Sequence, residues 1–185
     1  KMHVMVERAC TDIAGVSASQ VEMQSGIQFY DGITTDEIQE ILIKSASDLI
    51  SLEQPNYQFV AARLLLFSIR KSLYGKIFEI PHLQDHIKRC VENGVYDPAV
   101  NDKFTAGEIN EIEKFLDHDR DYLFTYAGLR QVADKYLVQD RSSGQVYETP
   151  QFMYMLIAMT IFAEYDRETR LNYIRLYYDA ISRHK

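Results

Sequence analysis

From its first residues the chain sets apolar positions at helical spacing. Met2, Met5, Val6, Ala9 and Ile13 fall on one stripe, the recurrence at every third and fourth residue that marks an amphipathic helix. Ser17 followed by Gln20 has the form of a capping box, in which a hydroxyl and a carboxamide satisfy the open amides of a helix start. It predicts a second helix that ends near Asp31–Gly32. Thr34 with Glu37 makes another capping box, and the helix behind it carries Ile38, Ile41, Leu42, Ser45, Leu49 and Leu52 on one face. Pro55 suits the first turn of a fourth helix and Gly75 its C-terminal stop. Between them, residues 59–69 are apolar almost all round, which predicts a helix central to its bundle. Residues 76–81 read as a linker.

Further helices are expected around 82–93, 106–117 and 124–136. The period then changes. Tyr136-Leu137-Val138-Gln139 and Gln145-Val146-Tyr147-Glu148-Thr149 flank Asp140-Arg141-Ser142-Ser143-Gly144, two short apolar-aromatic runs around a glycine-containing loop, which read as a hairpin. Pro150 opens a very apolar helix over 151–163, and 167–185 makes a last one. The predicted fold class is mainly α, with one β-hairpin.

Composition narrows the function. A length of 185 residues suits one ordinary domain or two small ones, and a 46% hydrophobic fraction is enough to build a core. The formal net charge of -7 argues against a nucleic-acid partner, which needs clustered Lys and Arg. It leaves room for a local phosphate site, where two or three cations suffice. The apolar run 152–163 is too short to span a bilayer, so no membrane partner is expected. Cys10 and Cys90 lack metal-ligand spacing; both read as core residues of a protein in the reducing cytoplasm. The first residue is Lys1 rather than Met, and both ends fall inside helical patterns. The chain therefore reads as a piece of a longer protein.

Three groups of residues invite a chemical reading. His82 and His86 stand four apart, a spacing that can put two imidazoles on one metal, but no third ligand is evident nearby; a solvated helix face is favoured and no metal site is assigned. Asp117-His118-Asp119-Arg120-Asp121 resembles an acid-base cluster, yet consecutive residues on a helix point in different directions. A junction where Asp caps the next helix and Arg pairs with a carboxylate explains it better. The third group is Thr34-Thr35 at a helix start with Arg70-Lys71 at the end of the next helix. A helix start offers free amides and partial positive charge, and in a short antiparallel pair it lies near the end of its neighbour. Thr35 and Lys71 are thereby candidates to converge on a phosphate, against the plainer reading of a cap and a solvated cation.

The same segments carry a family resemblance. Val21-Glu22-Met23, Ile27-Gln28-Phe29-Tyr30-Asp31-Gly32 and Tyr57-Gln58-Phe59-Val60-Ala61-Ala62-Arg63-Leu64 resemble the ATP-cone of aerobic (class I) ribonucleotide reductase large subunits. Phe115-Leu116 through Asp121, Lys135-Tyr136-Leu137-Val138-Gln139, Glu148-Thr149 with Gln151-Phe152, and Arg167-Glu168-Thr169-Arg170-Leu171 resemble the helical domain that precedes that family's catalytic barrel. The series is collinear along the whole chain.

The resemblance implies a cone over 1–76, lacking its opening strand pair, and a helical domain over 77–185 that leads to an absent barrel. It implies ATP or dATP as allosteric effectors at an incomplete site containing Lys1, Thr35 and Lys71. Some relatives carry His where this chain has Gln39 and Ser68. For the full-length enzyme it implies conversion of ribonucleoside diphosphates to deoxyribonucleoside diphosphates, a small (beta) subunit with a metal–tyrosyl radical centre, a second large subunit, and thioredoxin or glutaredoxin as reductant. The family's catalytic cysteines match neither Cys10 nor Cys90, so no catalytic residue is expected here. The rival readings are a nucleotide-sensing transcriptional repressor, which would need a zinc ribbon, and a free-standing helical interaction module.

Overall fold

The computed structural model describes residues 2–183; Lys1, His184 and Lys185 fall outside it. Within that range the chain is built of helices. The first four are α1 (Met2–Cys10), α2 (Ala18–Gly26), α3 (Thr35–Asp48) and α4 (Tyr57–Tyr74). After them come α5 (Leu83–Glu92), a short α6 (Ala99–Lys103) and α7 (Ala106–Glu113). A 3-10 turn (His118–Leu123) leads to α8 (Tyr126–Lys135), α9 (Pro150–Phe162) and α10 (Arg167–Ser182).

Helix α4 is central, as its composition predicts. It packs against α1, α3 and α8, and Val60, Ala61, Leu64, Leu66 and Phe67 are almost completely buried. Each such large apolar side chain stabilises the fold by about 1.5–3 kcal/mol. Gly75 ends the helix in the left-handed conformation (φ 71°), with its amide donating to the Lys71 carbonyl at 2.9 Å. Arg63 reaches from α4 to the carbonyls of Ala9 and Thr11, which satisfies the open C-terminal end of α1.

The described residues form two apolar cores. One gathers α1–α4 and takes in Phe124, Leu129, Ala133, Leu137 and Met153 from farther along the chain. The other is built from α5, α7, α9 and α10 around Leu83, Ile112, Phe152, Met155 and Tyr178. Their division does not follow the order of the sequence, because α8 sits on α4. Arg170 locks the second core: buried on α10, it pairs with Glu108 and donates to the carbonyls of Ala163 (3.0 Å) and Lys103 (2.8 Å).

Several local expectations need correcting. Ser17 precedes α2 but makes no side-chain cap. The Tyr57 hydroxyl takes the bond expected of Gln20: it accepts from the Ser17 amide at 2.9 Å and donates to Gln20. Helix α2 stops at Gly26, short of Asp31–Gly32, and Gln28 folds back to donate to the Gln24 carbonyl and Ser45. Leu52 lies beyond α3 and is 97% exposed.

The hairpin contracts to one antiparallel bridge, Gln139 with Val146. Ladder hydrogen bonds from Asp140 to Gln145 (2.8 Å) and from Tyr147 to Val138 (2.9 Å) flank it. The Val138 amide is spent on the Glu148 carboxylate at 2.8 Å, so pairing goes no further.

Candidate functional site

The start of α3 is built as its sequence predicts. Thr34 accepts from the Glu37 amide at 3.2 Å, while the Glu37 carboxylate accepts from the Thr34 amide at 2.8 Å. Tyr30 adds a hydroxyl donor to Glu37 at 2.9 Å. The bonds from Thr34 hold the Glu37 carboxyl below the usual carboxylate range. Thr35 and Asp36 occupy the first two helical positions, where amides precede the first intrahelical bond.

Helices α3 and α4 lie side by side, which brings the end of α4 to this point. Lys71 comes from the last turn of α4, and its Nζ donates to Gln39 Oε1 at 3.0 Å and to Asp36 Oδ1 at 3.4 Å. Gln39 is buried; the Asp36 side chain is 89% exposed. Thr35 and Lys71 line one cleft of about 700 Å³. The expected pair therefore converges. Lys1, the third expected member, lies outside the described residues.

The other walls were not expected. The left-handed turn at Gly75 sends the chain back over the cleft, so the segment read as a linker forms one side of it. Ile77 packs on the first core. Phe78 lies edge-on to Phe67 at 5.3 Å, and the Arg8 guanidinium stands 4.4 Å from the Phe78 ring centre. Met2 and Met5 supply the facing wall from α1. Gly75 carried the signal for this wall, since a helix that ends on a left-handed residue reverses its chain.

The cleft thus joins apolar walls to a polar end made of a helix start and an ammonium. That suits a flat apolar group bearing an anion. Among the described residues, no thiol lines the cleft. Cys10 is pushed up to about 11 by burial, and Cys90 is raised for the same reason.

Elsewhere, His82 and His86 part company. His82 is exposed and lies 2.9 Å from Glu113. His86 is buried rather than solvated, stacked on Phe152 at 3.9 Å and 3.0 Å from the Tyr96 hydroxyl. Among the described residues no group of three His, Cys, Asp or Glu could hold a metal ion.

The Asp117–Asp121 run is a junction. Asp117 accepts from the Asp119 amide at 3.1 Å and pairs with Arg120 at 3.2 Å; Arg120 also meets Asp179 at 2.7 Å. Asp121 is buried against Arg70 at 3.1 Å and accepts from Gln151 at 3.0 Å. Burial pushes its carboxyl up to about 6, although Arg70 pulls the other way. Gln151 in turn accepts from Tyr178 on α10 at 2.7 Å.

Comparison with known proteins gives the cleft its setting. Residues 1–72 match the ATP cone domain, and residues 122–185 match the ribonucleotide reductase all-alpha domain. Over all 185 residues the chain is 48% identical to the ribonucleoside-diphosphate reductase 1 subunit alpha of Escherichia coli (strain K12). It is 46% identical, again over its whole length, to the subunit alpha of Haemophilus influenzae. Against the subunit alpha of Enterobacteria phage T4 it is 45% identical over 170 residues, 91% of the chain. The chain spans 22–24% of the length of these relatives. With both domain matches in order and identity running along its whole length, the chain belongs to the N-terminal region of the ribonucleoside-diphosphate reductase alpha-subunit family.

Proposed function

We propose that this chain is the effector-sensing N-terminal region of a class I ribonucleoside-diphosphate reductase large subunit, and that the cleft between α3, α4 and α1 binds ATP or dATP. One observation carries the reading: Thr35 and Lys71 line the polar end of one apolar-walled cleft, and both fall within the segment that matches the ATP cone domain. The apolar walls take the base, and the start of α3 with Lys71 takes the phosphates. Lys1 is the third contact by resemblance. Residues 1–76 act as the cone and 77–185 connect it to the catalytic part.

The whole protein reduces ribonucleoside diphosphates in the cytoplasm by radical chemistry. It works with a second large subunit, with a small subunit that supplies the metal–tyrosyl radical, and with thioredoxin or glutaredoxin as reductant. The match of residues 122–185 to the reductase all-alpha domain favours this reading over a transcriptional repressor or a free-standing interaction module.

The test is equilibrium dialysis of the chain and its Lys71→Ala variant against ATP. Losing one charge-assisted contact of about 1.5–3 kcal/mol weakens binding by about ten- to a hundredfold. An unchanged binding curve would remove Lys71 from the site, and no saturable binding by the wild type would end the reading.

A further inference from the structure

The cleft's cations are not waiting bare. The Lys71 ammonium is shared between two acceptors that differ in kind. Gln39 is neutral and buried, so its carbonyl at 3.0 Å is a fixed partner that sets where the ammonium stands. Asp36 is charged and 89% exposed, at the longer distance of 3.4 Å. It can rotate into water at little cost, because an exposed ion pair contributes only about 0–1 kcal/mol. The second lysine lining the cleft, Lys76, is compensated in the same way by Glu79, with both side chains exposed.

Position adds to this. Asp36 stands in the first turn of α3, where the open amides and the helix dipole favour a negative charge. It therefore presents a carboxylate both to the helix start and to Lys71, the two features that would receive a phosphate.

We propose that Asp36 is a built-in competitor for the phosphate end of the ligand. Binding exchanges the Asp36 carboxylate on Lys71 for a phosphate, while Gln39 keeps the ammonium in place. This rests on the nucleotide-binding reading of the cleft. The consequence is a site set below its attainable affinity by one exposed residue, which the ligand must displace and whose charge it must approach. Asp36 is then an affinity-setting residue.

The experiment is ATP binding by the wild-type chain, Asp36→Asn, Lys71→Ala and the double variant. Asp36→Asn keeps the side chain's shape and removes its charge. It is expected to tighten ATP binding by about three- to tenfold, and the gain should fall below about twofold when Lys71 is also replaced. Inorganic tripolyphosphate, which has only the phosphate end, should show the same gain. Unchanged or weaker binding by Asp36→Asn, with the wild type still binding and Lys71→Ala still impaired, would overturn the exchange and leave the cleft reading intact. An equal gain with and without Lys71 would also overturn it, since that is general repulsion. Failure of the wild type to bind ATP would remove the cleft reading and this inference with it.

Discussion

Arg70 and Lys71 are neighbours on α4, about 100° apart around the helix, and each has a carboxylate partner. Arg70 points into the protein. It meets Asp121 at 3.1 Å with both side chains nearly inaccessible, and it also donates to the His118 carbonyl. Lys71 points to the cleft and meets Asp36 in the open. The first pair has lost its water, so each partner depends on the other and on Gln151 and Tyr178 behind them. The second pair keeps its water and can be exchanged for a ligand. The lesson is that one turn of helix serves two roles. One side fastens α4 to the 3-10 turn, α9 and α10; the other offers a replaceable charge.

Substitution of Arg70 should give the largest effect. Arg70→Ala leaves Asp121 buried without its partner and is expected to cost about 3–5 kcal/mol of stability, read by urea unfolding. A loss under about 1 kcal/mol would show that the buried pair is no fastening.

Acid should act on the same side of α4. Burial lowers His86 to about 3 and His118 to about 4, from an ordinary value of 6.5. Below pH 6.5 the unfolded chain takes up protons that these two buried rings refuse, so their contribution is full above 6.5 and is lost as pH falls towards 4. Asp121 has the opposite sign. Raised from 3.8 to about 6, it binds a proton in the folded state first and returns some stability between those values. From pH 7 to pH 5 the two histidines cost roughly 4 kcal/mol; Asp121 returns roughly 1–2, and Glu148, also raised by burial, returns a further part, which leaves a smaller net loss. Unfolding midpoints that stay level across this range would contradict the burial of these groups.

The open side should respond less. Thr34→Ala removes the hydroxyl that caps α3 and should cost about 1 kcal/mol in the same unfolding assay. Lys71→Ala gives up the bond to Gln39 at the open cleft, where water can replace it, and should cost no more than about 1 kcal/mol while impairing ligand binding. A larger loss would make Lys71 a structural residue and erase the contrast with Arg70.

What could be read in the sequence was local. The Thr34–Glu37 box, the Gly75 stop and the apolar girth of α4 each depend on a few consecutive residues, and each is found in place. The junction at Asp117–Asp121 was legible because five consecutive polar residues cannot share one helix face. Thr35 and Lys71 could be paired because adjacent antiparallel helices place a start beside an end. The misses come from partners distant in the chain. Gln20 lost its bond to the Ser17 amide to Tyr57, forty residues from Ser17. His86 was hidden by Phe152, which comes from α9. The Phe78 wall required knowing which way the chain turns after Gly75.

A nucleotide that enters the cleft beside Lys71 comes up against methionine side chains, and the six methionines report on it directly. Met2 and Met5 line the cleft, Met23 is exposed on α2, and Met153, Met155 and Met159 are buried in the two cores. With the methionine methyls isotopically labelled, an ATP titration followed by NMR should move the Met2 and Met5 signals in a saturable way. The other four should stay in place, and the response should be lost or shifted to much higher ATP in Lys71→Ala. Saturable shifts confined to Met23 or to the buried methyls would place the nucleotide outside this cleft, and a Met2 and Met5 response that Lys71→Ala leaves untouched would remove Lys71 from its binding.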